Sequence, residues 1–302
     1  FNVAVDTFVL WVTVKWRPQK KFSIVRLKRL FTYGWKLLAS SLLDTVYNNV
    51  RQLIIGKMYS SADLAYYNRG KQFPDLIINN INTSIDSVLL PTMSSEQDNR
   101  LRVKEMTRRA IKTSTYIIAP LMMGLAFCGK SIVKIVLTDK WLPCVPFLQI
   151  FCITSMLYPI HTANLNAIKA MGRSDYFLKL EIIKKIIGII LLLSTMWYGV
   201  MAMAYSLLIS SFCSQIINSW PNKKLLDYGY LEQIKDILPS IALASIMGIC
   251  VYAVYFFEFG DIITLCLQVA LGVMIYICGS KMFKFEEFEY IFKYIKKRRK
   301  GI

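Results

Sequence analysis

The chain has 302 residues, of which 55% are hydrophobic and 19% charged, with a mean hydropathy of +0.42 and a formal net charge of +18. A soluble domain of this length carries about 25% charged residues spread over its surface, whereas here the charges collect between long uncharged stretches. An ordinary soluble domain is thereby excluded, and an all-α polytopic membrane protein is predicted. A sequence pI of about 9.6 would suit a nucleic-acid surface, but the apolar content and the placement of the basic residues exclude nucleic acid as a partner.

A membrane-spanning helix needs about 20 mainly apolar residues. The first apolar stretch, Phe8 to Trp16, is too short, so residues 1–16 read as the end of a truncated span, followed by a basic linker over 17–30. The first two windows are more polar: Leu30 to Met58 contains Lys36, Asp44 and Arg51, with Lys57 at its edge, and Phe73 to Met93 contains Asp75 and Asp86 among Ile, Leu and Val. Each is long enough to span if its polar residues face protein or water. Thr113 to Gly129 is the third window, extended by Lys130 to Leu137, and Trp141 to Ile168 is the fourth, with one titratable residue, His161. Ile186 to Trp220 is uncharged and too long for one span; Trp197, Tyr198 and Gly199 in its middle predict a turn between two helices. Ile237 to Phe257 and Ile262 to Ser280 complete eight spans within residues 31–280, and 281–302 form a basic tail. The seven cysteines show no CxxC pair and lie mostly in apolar runs, so they read as small buried hydrophobes, and neither a metal nor a cofactor is expected.

Basic residues set the orientation, because loops rich in Lys and Arg stay in the cytoplasm. Alternate gaps between the windows hold 29 basic residues against 6, with Lys36 and Arg51 inside the first window. The net charge is thus explained by topology, with a cytoplasmic C-terminus. In the tail, Phe283, Phe285, Phe288, Tyr290, Ile291, Tyr294 and Ile295 alternate with Glu286, Glu287 and Glu289 before a run of five basic residues. It reads as a solvated basic end that fixes orientation, or as a short helix held at the interface by anionic lipid.

No catalytic signature is present: the chain has no GxSxG, HExxH or P-loop. The informative residues are polar groups that are costly in lipid. Asp44, Asn48 and Arg51 stand at i, i+4 and i+7, placing an acid, an amide and a guanidinium on one helical face beside Asn49. Arg51 is either a packing partner or a planar, permanently charged fork for a phosphate. Asn79, Asn82 and Asp86, at i, i+3 and i+7, form a second stripe. Asp86 would neutralise Arg51, line a cavity or carry a coupling proton. His161 follows Pro159, which breaks the helix ladder, and an interrupted helix at membrane depth is a common place for a binding site. A lone His is also readily satisfied by a neighbouring helix.

Tyr66-Tyr67-Asn68-Arg69-Gly70, Pro74, and Leu89-Leu90-Pro91-Thr92-Met93-Ser94 carry a family resemblance. With them go Tyr33-Gly34-Trp35, Asn48-Asn49, Ile54-Ile55-Gly56-Lys57, Trp141 with Pro143, and the run from Asn166 to Met171-Gly172-Arg173. The chain resembles the polysaccharide-transport branch of the multidrug/oligosaccharidyl-lipid/polysaccharide flippase superfamily, on the side of the Wzx-like lipopolysaccharide and colanic acid exporters. The resemblance implies two helical bundles around a central cavity, of which this chain would be the second bundle with part of the span before it. It implies a flippase that moves an oligosaccharide on undecaprenyl diphosphate across the bacterial inner membrane by alternating access. The implied partners are that lipid-linked sugar, membrane lipids, a proton or sodium gradient and a polysaccharide polymerase; Arg51, Asn48, Asn49, Asn79, Asn82 and His161 would line the cavity, with Asp44 and Asp86 as coupling or ion-pair residues. Two alternatives stay open at this level: an ion-coupled drug or cation exporter of the same superfamily, and an intramembrane O-acyltransferase centred on His161 and Asn164.

The 29 to 6 bias predicts that single cysteines placed at Asp98 and Asp227 are labelled by an impermeant reagent only from the cytoplasmic side, and one at Ser61 only from outside. Labelling of Asp98 from outside would overturn the predicted hairpins.

Overall fold

The computed structural model describes residues 2–14, 23–24, 27, 45–47, 49–257, 259–290 and 293. Among them every regular element is helical. Asp44, Asn48, most of the first predicted window and the terminal basic run lie outside the described residues. The chain divides into two units, Phe1–Val50 and Arg51–Ile302. The first holds α1 (Asn2–Thr13), an apolar helix of 12 residues with Phe8, Leu10 and Trp11 exposed.

The second unit begins with the helical residues 51–58 (α2). There follow α3 (Ser61–Ser95), α4 (Arg100–Phe127), α5 (Gly129–Leu137), a 3-10 turn (Asp139–Cys144), α6 (Val145–Met156) and α7 (Tyr158–Ala170). The chain continues through α8 (Ser174–Thr195), α9 (Val200–Leu226), α10 (Tyr230–Ala253), α11 (Asp261–Met282) and a short helix over 286–290 (α12). Every predicted window from Phe73 onward is helical. Five segments among the described residues are long and apolar enough to cross a membrane: α4, Asp139–Ala170, α9, Tyr230–Phe257 and α11.

The helices extend past their apolar windows. Ser60 and Asp63 form a capping box, with Asp63 N donating to Ser60 Oγ at 3.1 Å and Ser60 N to Asp63 Oδ2 at 3.3 Å. This cap starts α3 well before Phe73. Asn99 Oδ1 likewise accepts from Arg102 N at 3.1 Å and starts α4 at Arg100. Residues expected in loops, such as Arg69, Lys104 and Arg108, therefore ride on helical extensions, because Lys and Arg are good helix formers and a cap rather than apolarity decides where a helix begins.

Charged helix ends sort into two sets. At one end Arg108 meets Asp236 at 2.7 Å, Lys104 lies 3.8 Å from Glu232, and Arg100 Nη2 donates to Lys224 O at 2.8 Å. At the other, Lys134 meets Asp261 at 2.9 Å, and Lys130 lies 4.5 Å over the Tyr255 ring. The first set joins two gaps, 100–112 and the one that begins at Lys223, which the basic count assigns to one side.

The Tyr66-to-Gly70 segment is a packing device. Tyr67 is buried edge-on against Phe147 and Phe151, with ring centroids 6.0 and 5.1 Å away. Tyr66 meets Trp141 at 6.0 Å, and Arg69 lies 5.2 Å over the same indole. A Cβ on Gly70 would stand 2.6 Å from Phe147 Cβ and 2.8 Å from Leu148 N, so only glycine lets α3 approach α6. Tyr59, just past α2, clasps the turn between α8 and α9: its hydroxyl donates to Met196 O at 2.6 Å and accepts from Gly199 N at 2.8 Å. Gly199 has φ +100, the backbone that this turn requires and that a side chain would strain. The expected burial of the cysteines holds for Cys128, Cys144 and Cys152; Cys266 and Cys278 are exposed instead, on the outward face of α11.

The tail folds back on the bundle, which neither reading of the sequence anticipated. Lys284 takes φ +50 after α11 and Phe285 N donates to Ser280 O at 3.0 Å, so the chain reverses. Phe285 then packs 5.9 Å from Tyr116, and Lys112 binds both Glu286 and Glu287 at 3.0 Å, with Glu287 only 6% exposed. The hydrogen bond from Lys112 holds the Glu286 carboxyl below the usual carboxylate range.

Two outcomes follow. Gly70→Ala should lower the unfolding temperature in detergent, with a cost of about 1–3 kcal/mol from overpacking, whereas Gly124→Ala, whose Cβ meets nothing within 4 Å, should be neutral. For the tail, a carboxyl with a depressed pKa stabilises docking at pH values above its ordinary ~4.3 and loses that contribution as pH falls through its folded value. Labelling of a cysteine at Phe288, taken relative to a free thiol at the same pH because only the thiolate reacts, should therefore be low between pH 5 and 8 and rise below about pH 4.

Candidate functional site

α9 carries a line of amides and hydroxyls that the sequence reading passed over: Gln215, Asn218, Ser219 and Asn222, at i, i+3, i+4 and i+7, all buried. The line zips against α7. Pro159 interrupts the helix between Met156 and Tyr158, and a proline leaves nearby carbonyls without their ladder partners. Gln215 Nε2 reaches this interruption, donating to Leu157 O at 3.3 Å. Further along, the Asn218 side-chain amide hydrogen-bonds with His161 Nδ1. The Tyr158 ring lies 5.5 Å from that imidazole.

Asn164 is the hub. Its Nδ2 donates to Gln233 Oε1 at 2.8 Å and Ser219 Oγ at 3.1 Å, and its Oδ1 accepts from Asn222 Nδ2 at 2.6 Å and Gln233 Nε2 at 3.1 Å. Gln233 belongs to α10, so one fully buried side chain ties α7, α9 and α10 together. Such bonds in lipid average about 0.6 kcal/mol each; both polar atoms of Asn164 and of Gln233 are satisfied in this way, whereas Asn222 Oδ1 is buried without a partner.

Arg51 on α2 is 8% exposed; its Nη1 donates to Ser206 Oγ at 2.8 Å and to Met203 O, both on α9. Asp86 accepts from Asn166 Nδ2 of α7 at 2.6 Å. The sequence ranked an Asp86 pairing with Arg51 first; the contacts drawn are with an amide and with α9 instead. Asn166 was read only as part of a family motif, although its position two residues past the hub places it on the α3 side of α7.

α3 presents two faces. Tyr67, Gly70, Pro74, Ile78 and Asn82 form its buried stripe against α6 and α7. Asn82 is 7% exposed, and neither its Nδ2 nor its Oδ1 has a partner. The other face is exposed and polar: Asn79, Asn80, Thr83, Ser84 and Ser87, with Asp86 at its border. Four of these hydroxyls and amides return to the helix's own carbonyls: Asn80 Nδ2 to Leu76 O, Thr83 Oγ1 to Asn79 O, Ser84 Oγ to Asn80 O and Ser87 Oγ to Ser84 O. Of the remaining candidates, Asn49 lies in the first unit and donates to Thr45 O at 2.7 Å, while Asp44 and Asn48 lie outside the described residues. Among the described residues no three His, Cys, Asp or Glu side chains group as metal ligands. The arrangement offers hydrogen bonds along an uncharged helix face with one carboxylate at its edge; it presents no nucleophile and base in contact.

Residues 1–146 match the polysaccharide biosynthesis protein family. The chain is 22% identical over 268 residues to the teichuronic acid biosynthesis protein TuaB of Bacillus subtilis, covering 87% of this chain and 56% of that protein. It is 22% identical over 246 residues to the lipopolysaccharide biosynthesis protein WzxC of Escherichia coli, covering 78% and 49%, and 17% identical over 164 residues to the succinoglycan biosynthesis transport protein ExoT of Rhizobium meliloti, covering 54% and 33%. The chain thus spans about half the length of the curated relatives it matches. Its fold is similar to that of the lipid II flippase MurJ in an inward closed conformation, with a TM-score of 0.71 and 18% identity over 93% of this chain and 59% of that one. The chain is thus similar to polysaccharide biosynthesis proteins in sequence, over residues 1–146 for the family and over longer stretches for the relatives, and to a lipid II flippase in fold.

Proposed function

We propose that this chain forms the second bundle of a flippase that carries a lipid-linked oligosaccharide, on undecaprenyl diphosphate, across a bacterial inner membrane by alternating access, for lipopolysaccharide, capsule or exopolysaccharide synthesis. The observation that carries the reading is the exposed polar face of α3. A helix of 35 residues is about 52 Å long, so residues 79–87 fall within the ~30 Å hydrocarbon layer. A polar face at that depth must look at water or protein, and amides and hydroxyls without fixed charge suit the many hydroxyl groups of a sugar. Transport proteins among the relatives and a flippase among the solved structures support the same reading.

In this reading Asn79, Asp86 and the neighbouring hydroxyls line the wet path. Asp86 is the carboxylate placed to couple transport to a proton or sodium gradient, with Asn166 orienting it. Arg51 and His161 act one step back: Arg51 holds α2 to α9, and His161 joins the zipper between α7 and α9. The helix ends that carry Arg108, Lys224 and Lys284 lie in the cytoplasm, with the C-terminus on that side and a polysaccharide polymerase as downstream partner.

Flipping of a fluorescent lipid-linked sugar in proteoliposomes tests the assignment. Asp86→Asn should remove the gradient dependence at a normal protein level, and Asn79→Leu should slow flipping about tenfold or more, the scale of one lost hydrogen bond to a bound polar group. Arg51→Ala and Arg51→Lys should instead both reduce folded protein. Normal gradient-driven flipping by Asp86→Asn, or full folded levels of Arg51→Ala with no flipping, would overturn these roles.

A further inference from the structure

α4 and α11 both pack on α10 and leave a furrow between them on the outside of the bundle. Tyr116 and Tyr276 form its floor, with centroids 5.1 Å apart and the Tyr276 hydroxyl donating to Tyr116 O at 2.8 Å. Its walls are the exposed Ile117 and Leu121 of α4 and Val269, Val273 and Ile277 of α11, and it encloses about 520 Å³. Gly124 lies along it with open space where a side chain would be. The furrow from Tyr116 to Gly124 is about 12 Å long, close to one leaflet's half of the ~30 Å hydrocarbon layer.

A second cavity of about 520 Å³ lies along the same α4 face, toward the basic end, lined by Glu105, Arg109, Lys112, Glu286 and Tyr290 among others. Glu105, Arg109, Thr113, Tyr116, Pro120 and Gly124 fall on one stripe of α4, at helical spacings of three or four. Thr113, which lines this cavity, precedes Tyr116 of the furrow by three residues, so the two lie end to end along α4, the cavity at the level where charges begin. Its cations differ in their commitments. Arg108 is bound to Asp236, and Lys112 to Glu286 and Glu287. Arg109 lies 4.0 Å over the Tyr290 ring and has neither a hydrogen-bond acceptor nor an ion-pair partner among the described residues. Beside it stand two carboxylates that stay open to solvent, Glu105 at 71% and Glu286 at 86% exposure.

We propose that this continuous slot holds one molecule of a phosphoethanolamine-type glycerophospholipid from the leaflet at the basic end. An acyl chain fills the furrow over Tyr116 and Gly124. The phosphodiester sits on the uncommitted guanidinium of Arg109, for which a planar fork is well suited. The headgroup ammonium lies between Glu105 and Glu286, which would repel a purely anionic headgroup. Because Tyr290, Glu286 and Glu287 come from the docked tail, the bound lipid joins α4, α11 and the tail into one assembly. The inference rests on the bundle's outer surface and is independent of what passes along α3.

The test is native mass spectrometry of the full chain, titrated separately with dioleoyl phosphatidylethanolamine, dioleoyl phosphatidylglycerol and undecaprenyl phosphate. One phosphatidylethanolamine should bind ahead of the other two. Arg109→Gln and Gly124→Phe, which remove the phosphate partner and fill the furrow, should each weaken that first binding about tenfold or more, while Lys71→Gln on α3, where Lys71 pairs with Asp75, leaves it unchanged. Glu105→Gln should narrow the preference for phosphatidylethanolamine over phosphatidylglycerol. Unfolding temperatures matching the parent would show that the variants are folded. Undiminished binding by folded Arg109→Gln and Gly124→Phe, equal binding of the two phospholipids, or preference for undecaprenyl phosphate would each overturn the proposal.

Discussion

Lipid does not hydrogen-bond, and the arrangement of α7, α9 and α10 follows from that one constraint. Pro159 has no N–H to give the carbonyl four residues back and interrupts the helix at Leu157, at a depth where an unmet polar group costs several kcal/mol. Gln215 crosses from α9 to meet Leu157. Once α9 has to supply an amide at that level, its turns above and below fall opposite His161 and Asn164, and the same solution repeats with Asn218, Ser219 and Asn222. Gln233 completes the hub from α10. The register of three helices is thus fixed by polar groups, whereas apolar side chains, equally content against lipid, leave it open.

Charge organises the two ends. Lys104, Arg108 and Lys112 project from α4 at intervals of four and meet acids from α10 and from the tail. Each pair is weak alone where exposed, but Glu287 is buried and so specifies where the tail lies. An ionised carboxylate shut away from water without Lys112 would be strongly unfavourable.

Much of this was legible before any coordinates. The turn at Trp197 to Gly199, the interruption at Pro159 and the clustering of basic residues toward one end follow from residue type and spacing, because turns, prolines and charges each act locally. What escaped was relational. The windows were found by apolarity, so their edges missed the capped polar extensions of α3 and α4. The uncharged run 186–220 drew attention to its length rather than to its amides, although Gln215, Asn218, Ser219 and Asn222 were spaced as one helix face. Arg51 was weighed as a ligand for phosphate since charge is conspicuous in an apolar stretch; that its Nη1 donates to Ser206 and to a backbone carbonyl of α9 depends on a helix about 150 residues away and leaves no local mark. The Tyr66-to-Gly70 segment was recognised as a signature, and its meaning as a seat for α6 needed the neighbouring backbone.

The clasp of Tyr59 on the turn between α8 and α9 has a mechanical consequence when set beside Arg51. Both residues fasten the same helix to the same partner, one near the start of α2 and the other just beyond its end, about 12 Å apart along the axis. A single attachment is a pivot, whereas two make a splint. Swinging α2 about either point would break the bond at the other, so α2, the α8–α9 turn and α9 are geared to travel as one lever. Any rocking of this bundle has to take its bend from elsewhere, and the two prolines within α3, Pro74 and Pro91, are the places where a long helix has already given up part of its ladder.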